Sequence, residues 1–179
     1  KTESTGTNYE RAESGAYPAR CIACIELGTR DNEFQGEVKK RKELMITWEL
    51  SELMQDGRPF VVSWRGTNTL NEKGKLFQIL TSWRGKPFTT DELKKFELSN
   101  ILDACCMINI SKETSKAGKE FNKVISVMRL PKGMQAEPRV NELVDFGIND
   151  ITNEELFAKL YPWIQNIVRE SDEYKAMSF

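Results

Sequence analysis

The strongest constraint on this chain is a change of hydrophobic period in mid-sequence. Over Lys40 to Leu50, the residues Leu44, Ile46, Trp48 and Leu50 alternate with Glu43, Met45, Thr47 and Glu49. That period of two predicts a strand with one buried face. Between Lys73 and Trp83 the pattern changes, and Leu76, Ile79, Leu80 and Trp83 share one face of a helix. Upstream of this helix, Tyr17 to Leu27 reads as a first strand, apolar on both faces as in a curved or doubly covered strand. Phe60 to Thr69 reads as a third strand after the turn Asp56-Gly57-Arg58-Pro59. Downstream, Gly85 and Pro87 stop the helix. Thr90-Asp91-Glu92-Leu93 opens a shorter helix with Thr89 or Thr90 as its N-cap. Ala104 to Ile110 and Phe121 to Arg129 supply two further strands.

The order is strand, strand, strand, helix, strand, strand. That is the layout of the OB-fold, a five-stranded Greek-key barrel, here with a helical insert between strands 3 and 4. The fold takes oligonucleotides on its strand 2–3 face, between the loops joining strands 1–2 and 4–5. Those loops read as residues 28–39 and 111–120, both long and polar. The chain divides into a flexible N-terminal segment (1–16), an OB-fold-like domain (17–132) and an acidic linker with a C-terminal helical segment (133–179). In that last part Val144-Asp145-Phe146 is extended. From Asn153 the spacing is helical, with a break and a second helix expected at Pro162. Leu156, Phe157, Leu160, Ile164, Ile167 and Val168 form an apolar stripe, which docks on its own domain or on a second subunit of a homo-oligomer. Residues 171–179 are expected to be a mobile end.

Several function classes are excluded or lack support. The chain has no His, which removes Ser-His-Asp triads and His-ligated metals. No Gly-x-Gly-x-x-Gly, Walker A or Gly-x-Ser-x-Gly motif is present. Asp31, Glu33 and Glu37 have the chemistry of Mg2+ ligands but read as a solvated loop. No catalytic residue, metal or cofactor is therefore expected. Hydrophobic residues make up 39% and charged residues 30% of the 179. No run approaches the roughly 20 apolar residues of a membrane span. The polar first thirty residues lack a secretory core. In a strand, Cys21 and Cys24 point to opposite faces and cannot converge on one metal, and Cys105 and Cys106 face apart for the same reason. Reduced core cysteines in a cytosolic protein are the expectation.

Charge is unevenly spread. Residues 30–132 hold nineteen basic and fourteen acidic side chains, whereas residues 133–179 hold four and nine. A basic body with an acidic end suits a protein that meets nucleic acid. Single-strand binding needs cations along a backbone track and flat side chains for bases to stack on. Lys39, Lys40, Arg41 and Lys42 are the densest basic run, and Phe34 is a stacking candidate in the adjoining loop. Arg65 falls on the outer face of strand 3 if Trp64 joins Phe60 and Val62 in the core. Lys112, Lys116, Lys119 and Lys123 edge the second polar loop. Trp48 and Trp83 read as core residues.

Several segments also resemble a family of phage-encoded single-stranded DNA-binding proteins with an OB-fold. They are Tyr17-Pro18-Ala19-Arg20-Cys21 leading to Leu27-Gly28, and Arg41-Lys42 leading to Trp48-Glu49-Leu50. The most specific is Leu80-Thr81-Ser82-Trp83-Arg84-Gly85-Lys86-Pro87-Phe88. Leu130-Pro131-Lys132-Gly133-Met134, Trp163-Ile164-Gln165 and Ser171-Asp172-Glu173-Tyr174 follow. The resemblance implies sequence-tolerant DNA binding in phage replication or recombination, without a cofactor, in the cytoplasm of an infected bacterium. It also implies that the acidic C-terminal end recruits phage or host replication proteins. The alternatives are an OB-like protein-interaction module of a phage assembly without nucleic-acid binding, and an RNA-binding variant.

Overall fold

The computed structural model describes residues 10–177. Six strands and five short helices occur among them. The strands are β1 (Gly15–Phe34), β2 (Glu37–Leu53), β3 (Pro59–Thr67), β4 (Cys105–Thr114), β5 (Glu120–Met128) and β6 (Val144–Phe146). The helices are α1 (Lys75–Arg84), α2 (Thr90–Lys95), α3 (Glu154–Ala158), α4 (Pro162–Arg169) and α5 (Asp172–Lys175). The hydrogen-bonded order is β3-β2-β1-β4-β5, antiparallel throughout, with β6 added parallel to β1 at Ala23–Ile25. Strands β3 and β5 end this path. They approach each other without pairing, so the sheet stays open along that seam.

Strand β1 organises the molecule. It pairs with β2 along most of its length and with β4 over Gly15–Arg20. It then passes its second edge to β6. Bulges between Cys21 and Ala23 and between Glu26 and Gly28 bend it, as extra residues in one strand of a pair do. The first bulge corrects the expectation for the cysteines. Cys21 and Cys24 both enter the inner core instead of facing apart. Both are free thiols, and the pKa of Cys21 is pushed up by its hydrogen bond with Cys24 and by burial. Cys105 and Cys106 do face apart, one exposed and one buried.

Two cores lie on opposite sides of the strands. The inner one joins Leu44, Ile46, Trp48 and Leu50 to Leu76, Ile79, Leu80 and Trp83 of α1. The Trp48 and Trp83 rings are 6.0 Å apart, and Trp83 Nε1 donates to Cys105 O at 2.9 Å. Gly85 ends α1 in the left-handed conformation, φ 76°, and its N–H donates to Thr81 O. The outer core joins Ile22, Ile25, Leu27 and Met45 to Phe146, Leu160, Ile164 and Val168 of the C-terminal segment. Pro162 opens α4 as its first helical residue, where its missing N–H costs nothing.

Four other expectations are corrected. Residues 28–39 are not a loop: β1 and β2 continue as a hairpin to a turn at Gln35-Gly36, both with positive φ (52° and 80°). Residues 111–120 are only in part a loop: 111–114 continue β4, Glu120 opens β5, and the hairpin turns over 115–119. The segment 10–16 is anchored, because Ala12 is buried and its N–H and C=O both bond the Asn122 amide. Residues 1–9 lie outside the described residues. Residues 171–177 are docked too. Ser171 is fully buried, and Glu173 accepts from Thr29 N and Oγ1, each at 2.7 Å. Ser178 and Phe179 lie outside the described residues.

Candidate nucleic-acid interface

The face of β2 and β3 is the natural place to look for an extended ligand. Most of it is covered. Met45, Thr47 and Glu49 are buried there beneath the C-terminal segment. Glu49, only 4% exposed, accepts from Val140 N, Asn141 N and Asn141 Nδ2 at 2.9–3.1 Å. Ser51 Oγ accepts from Glu137 N at 2.9 Å. The linker after Pro131 is thus strapped across β2. A strand of nucleic acid lying over the middle of β2 and β3 would have to displace this apolar cover.

The uncovered part of the same face runs toward the hairpin tip. Alternation along β2 puts Glu37, Lys39, Arg41 and Glu43 on one side and Val38, Lys40 and Lys42 on the other. Phe34 pairs opposite Glu37 and is 66% exposed. Phe34, Lys39 and Arg41 line one groove of about 290 Å³ at the tip. Lys39 also sits 3.6 Å from Glu37. From Lys39 to Met45 the strand covers about 20 Å at its ordinary rise. Arg65 pairs across from Met45, which extends the line of cations onto β3.

Besides Lys39, three predicted cations are already engaged. Lys40 Nζ lies 2.8 Å from both Asp31 and Asp172. Hydrogen bonds that its ammonium donates to Asp172 and then to Asp31 hold its pKa above the usual lysine range. Lys112 bridges Glu13 at 3.0 Å and Glu120 at 3.2 Å, which also raises its pKa. Arg65 donates two parallel bonds to Glu43, at 3.0 and 3.1 Å. Arg30 Nε also lies 2.7 Å from Glu43, an ion pair without the in-line geometry of a hydrogen bond. Lys42 is exposed on the other side of β2 from Lys39 and Arg41. Lys116 and Lys119 are exposed in the β4–β5 turn.

Arg65 and Lys123, far apart in sequence, come together at the open seam between β3 and β5. They line one cleft of about 660 Å³ with Trp64, Lys75 and Phe121. Trp64 is half-buried, with its ring packed over Gly66, where an added Cβ would sit 2.2 Å from the indole. The sequence offers Trp64 as a core residue only as the condition for an outward Arg65, and gives Lys75 and Phe121 no role. The alternation of Phe121, Lys123 and Ile125 along β5 was the available signal, since it marks a strand with an exposed mixed face. No protein-family model matches this chain, and no curated protein sequence matches it.

Proposed function

We propose that this chain is a sequence-tolerant single-stranded DNA-binding protein built on an OB-fold. Its strand order and the helix between β3 and β4 support that fold; the unpaired β3–β5 seam departs from a fully closed barrel. The observation that carries the function is the hairpin groove, where an exposed aromatic ring lies beside two cations, Lys39 and Arg41. Stacking on a flat ring tolerates any base, and cations follow the backbone without reading sequence. No step of this reading needs a catalytic residue or a cofactor. Its setting is phage DNA replication or recombination in the cytoplasm of an infected bacterium. The carboxylates of α5 are occupied on Lys40 and Thr29, so recruitment of replication proteins through the acidic end requires their release.

A second reading, a protein-interaction module of a phage assembly, draws on exposed Val140, Tyr161 and Trp163 on the C-terminal segment. Gel shifts with single-stranded DNA, duplex and RNA of equal length separate the readings. Single-stranded DNA is expected to bind most tightly. Absence of binding to all three would favour the interaction module. Phe34→Ala is expected to weaken single-strand binding by about 1–3 kcal/mol, the worth of one stacked base. Lys39→Ala with Arg41→Ala is expected to weaken it across all sequences. Unchanged affinity in both variants, each folded by circular dichroism, would remove the hairpin from the interface.

A further inference from the structure

We infer that the bound single strand leaves the covered β2–β3 face at Arg65 and enters the open seam between β3 and β5. This inference rests on the single-strand reading and assigns it a path. Three observations carry it. First, the face beyond Met45 is closed by the outer core and by the Glu49 strap, so a strand coming from the hairpin cannot continue straight. Second, the seam opens beside Arg65, at the point where the cations Lys39, Arg41 and Arg65 leave off. Third, the lining of the seam has the composition a polyanion with planar bases requires. Among the described residues, Lys75 and Lys123 make no ion pair and no carboxylate lines the cleft. Trp64 and Phe121 are both in its lining, with Phe121 38% exposed.

The same composition decides against an added peptide strand as the occupant. An edge-to-edge strand would use the backbone groups of β3 and β5 and leave the two lysines without partners. A phosphate backbone neutralises them and offers bases to Trp64 and Phe121. Gly66 is part of the arrangement, since a side chain at that position would push the Trp64 ring out of its seat.

The test measures anisotropy of a labelled oligo-dT against salt concentration for three proteins: the full chain, its Lys75→Gln/Lys123→Gln variant, and its Lys39→Gln/Arg41→Gln variant. Each phosphate neutralised on a single strand contributes about 0.7 to the slope of log K against log salt. Loss of two contacts in the seam variant should therefore flatten the slope by about 1.4. Both lysines are at the surface, so the fold should survive, as a thermal melt would verify. Phe121→Ala, which removes no charge, should lower affinity with the slope retained. Oligo-dT binding by the full chain with the same slope and affinity in the seam variant and in Phe121→Ala would overturn the path and leave the single-strand reading standing. Failure of the full chain to bind oligo-dT at all would remove both.

Discussion

A fragment ending at residue 140 is expected to lose the cooperative unfolding transition of the full chain. Truncation there uncovers Ile22, Ile25, Leu27 and Met45, which the full chain buries against Phe146, Leu160, Ile164 and Val168. Burial of one such side chain is worth about 1.5–3 kcal/mol, against about 5–15 kcal/mol for the stability of a whole domain. The cut also removes Asn141 from Glu49 and strips β6 from the free edge of β1. Aggregation or a broad, non-cooperative melt by circular dichroism is the expected outcome. A monodisperse fragment melting cooperatively at the full chain's midpoint would show that the C-terminal segment is an appendage. The division of the chain at residue 132 suggested by its sequence would then be a physical one.

Gly28→Ala is expected to be severe for a single methyl group. Gly28 has φ +90°, where a side chain is strained, and an added Cβ would lie 2.5 Å from Ser171 Cβ. Ser171 cannot retreat easily: it is fully buried, donates to Val168 O at 2.6 Å and caps α5 through Tyr174 N. Backbone strain of this kind costs about 1–3 kcal/mol, and overpacking a filled site a similar amount. At roughly 2–4 °C per kcal/mol for a chain of this size, the midpoint should fall by about 5–15 °C. Ser171→Gly removes the colliding atoms and weakens the cap only slightly. The double variant should therefore be more stable than the sum of the two single effects, as coupled neighbours are. Strict additivity would contradict the contact between β1 and the start of α5.

The legible part of this fold is the part where one side chain in two, or one turn in two, is apolar. The β2 alternation at Leu44–Leu50, the α1 stripe ending at Gly85 and the break at Pro162 all appear where periodicity and caps place them. The outer half of the β1–β2 hairpin was not legible, because Thr29 to Lys42 carries polar and charged residues on both faces and has no fully buried residue. Its pairing is held by register with the inner half and by the positive-φ turn at Gln35-Gly36. The bulge at Cys21–Ala23 was invisible for a related reason: an inserted residue resets the alternation on which strand faces are assigned. The fate of the acidic end was hidden as well. Its carboxylates look solvated in sequence, and only the folded chain brings Asp172 to Lys40 and Glu173 to Thr29. For the candidate site, the basic run and Phe34 were readable as local features. The meeting of Arg65, Lys75 and Lys123 with Trp64 and Phe121 depends on how β3, α1 and β5 pack.

In the proposed function, a discontinuous line of cations on the hairpin and at the β3–β5 seam binds a single strand through its phosphates. Titration of the full chain with a single-stranded DNA oligonucleotide at increasing salt measures this most directly. With four or five phosphates engaged, the slope of log K against log salt should lie near about −3, and duplex of equal length should bind more weakly. Affinity for single-stranded DNA that does not change with salt would contradict the account, and so would tighter binding of duplex.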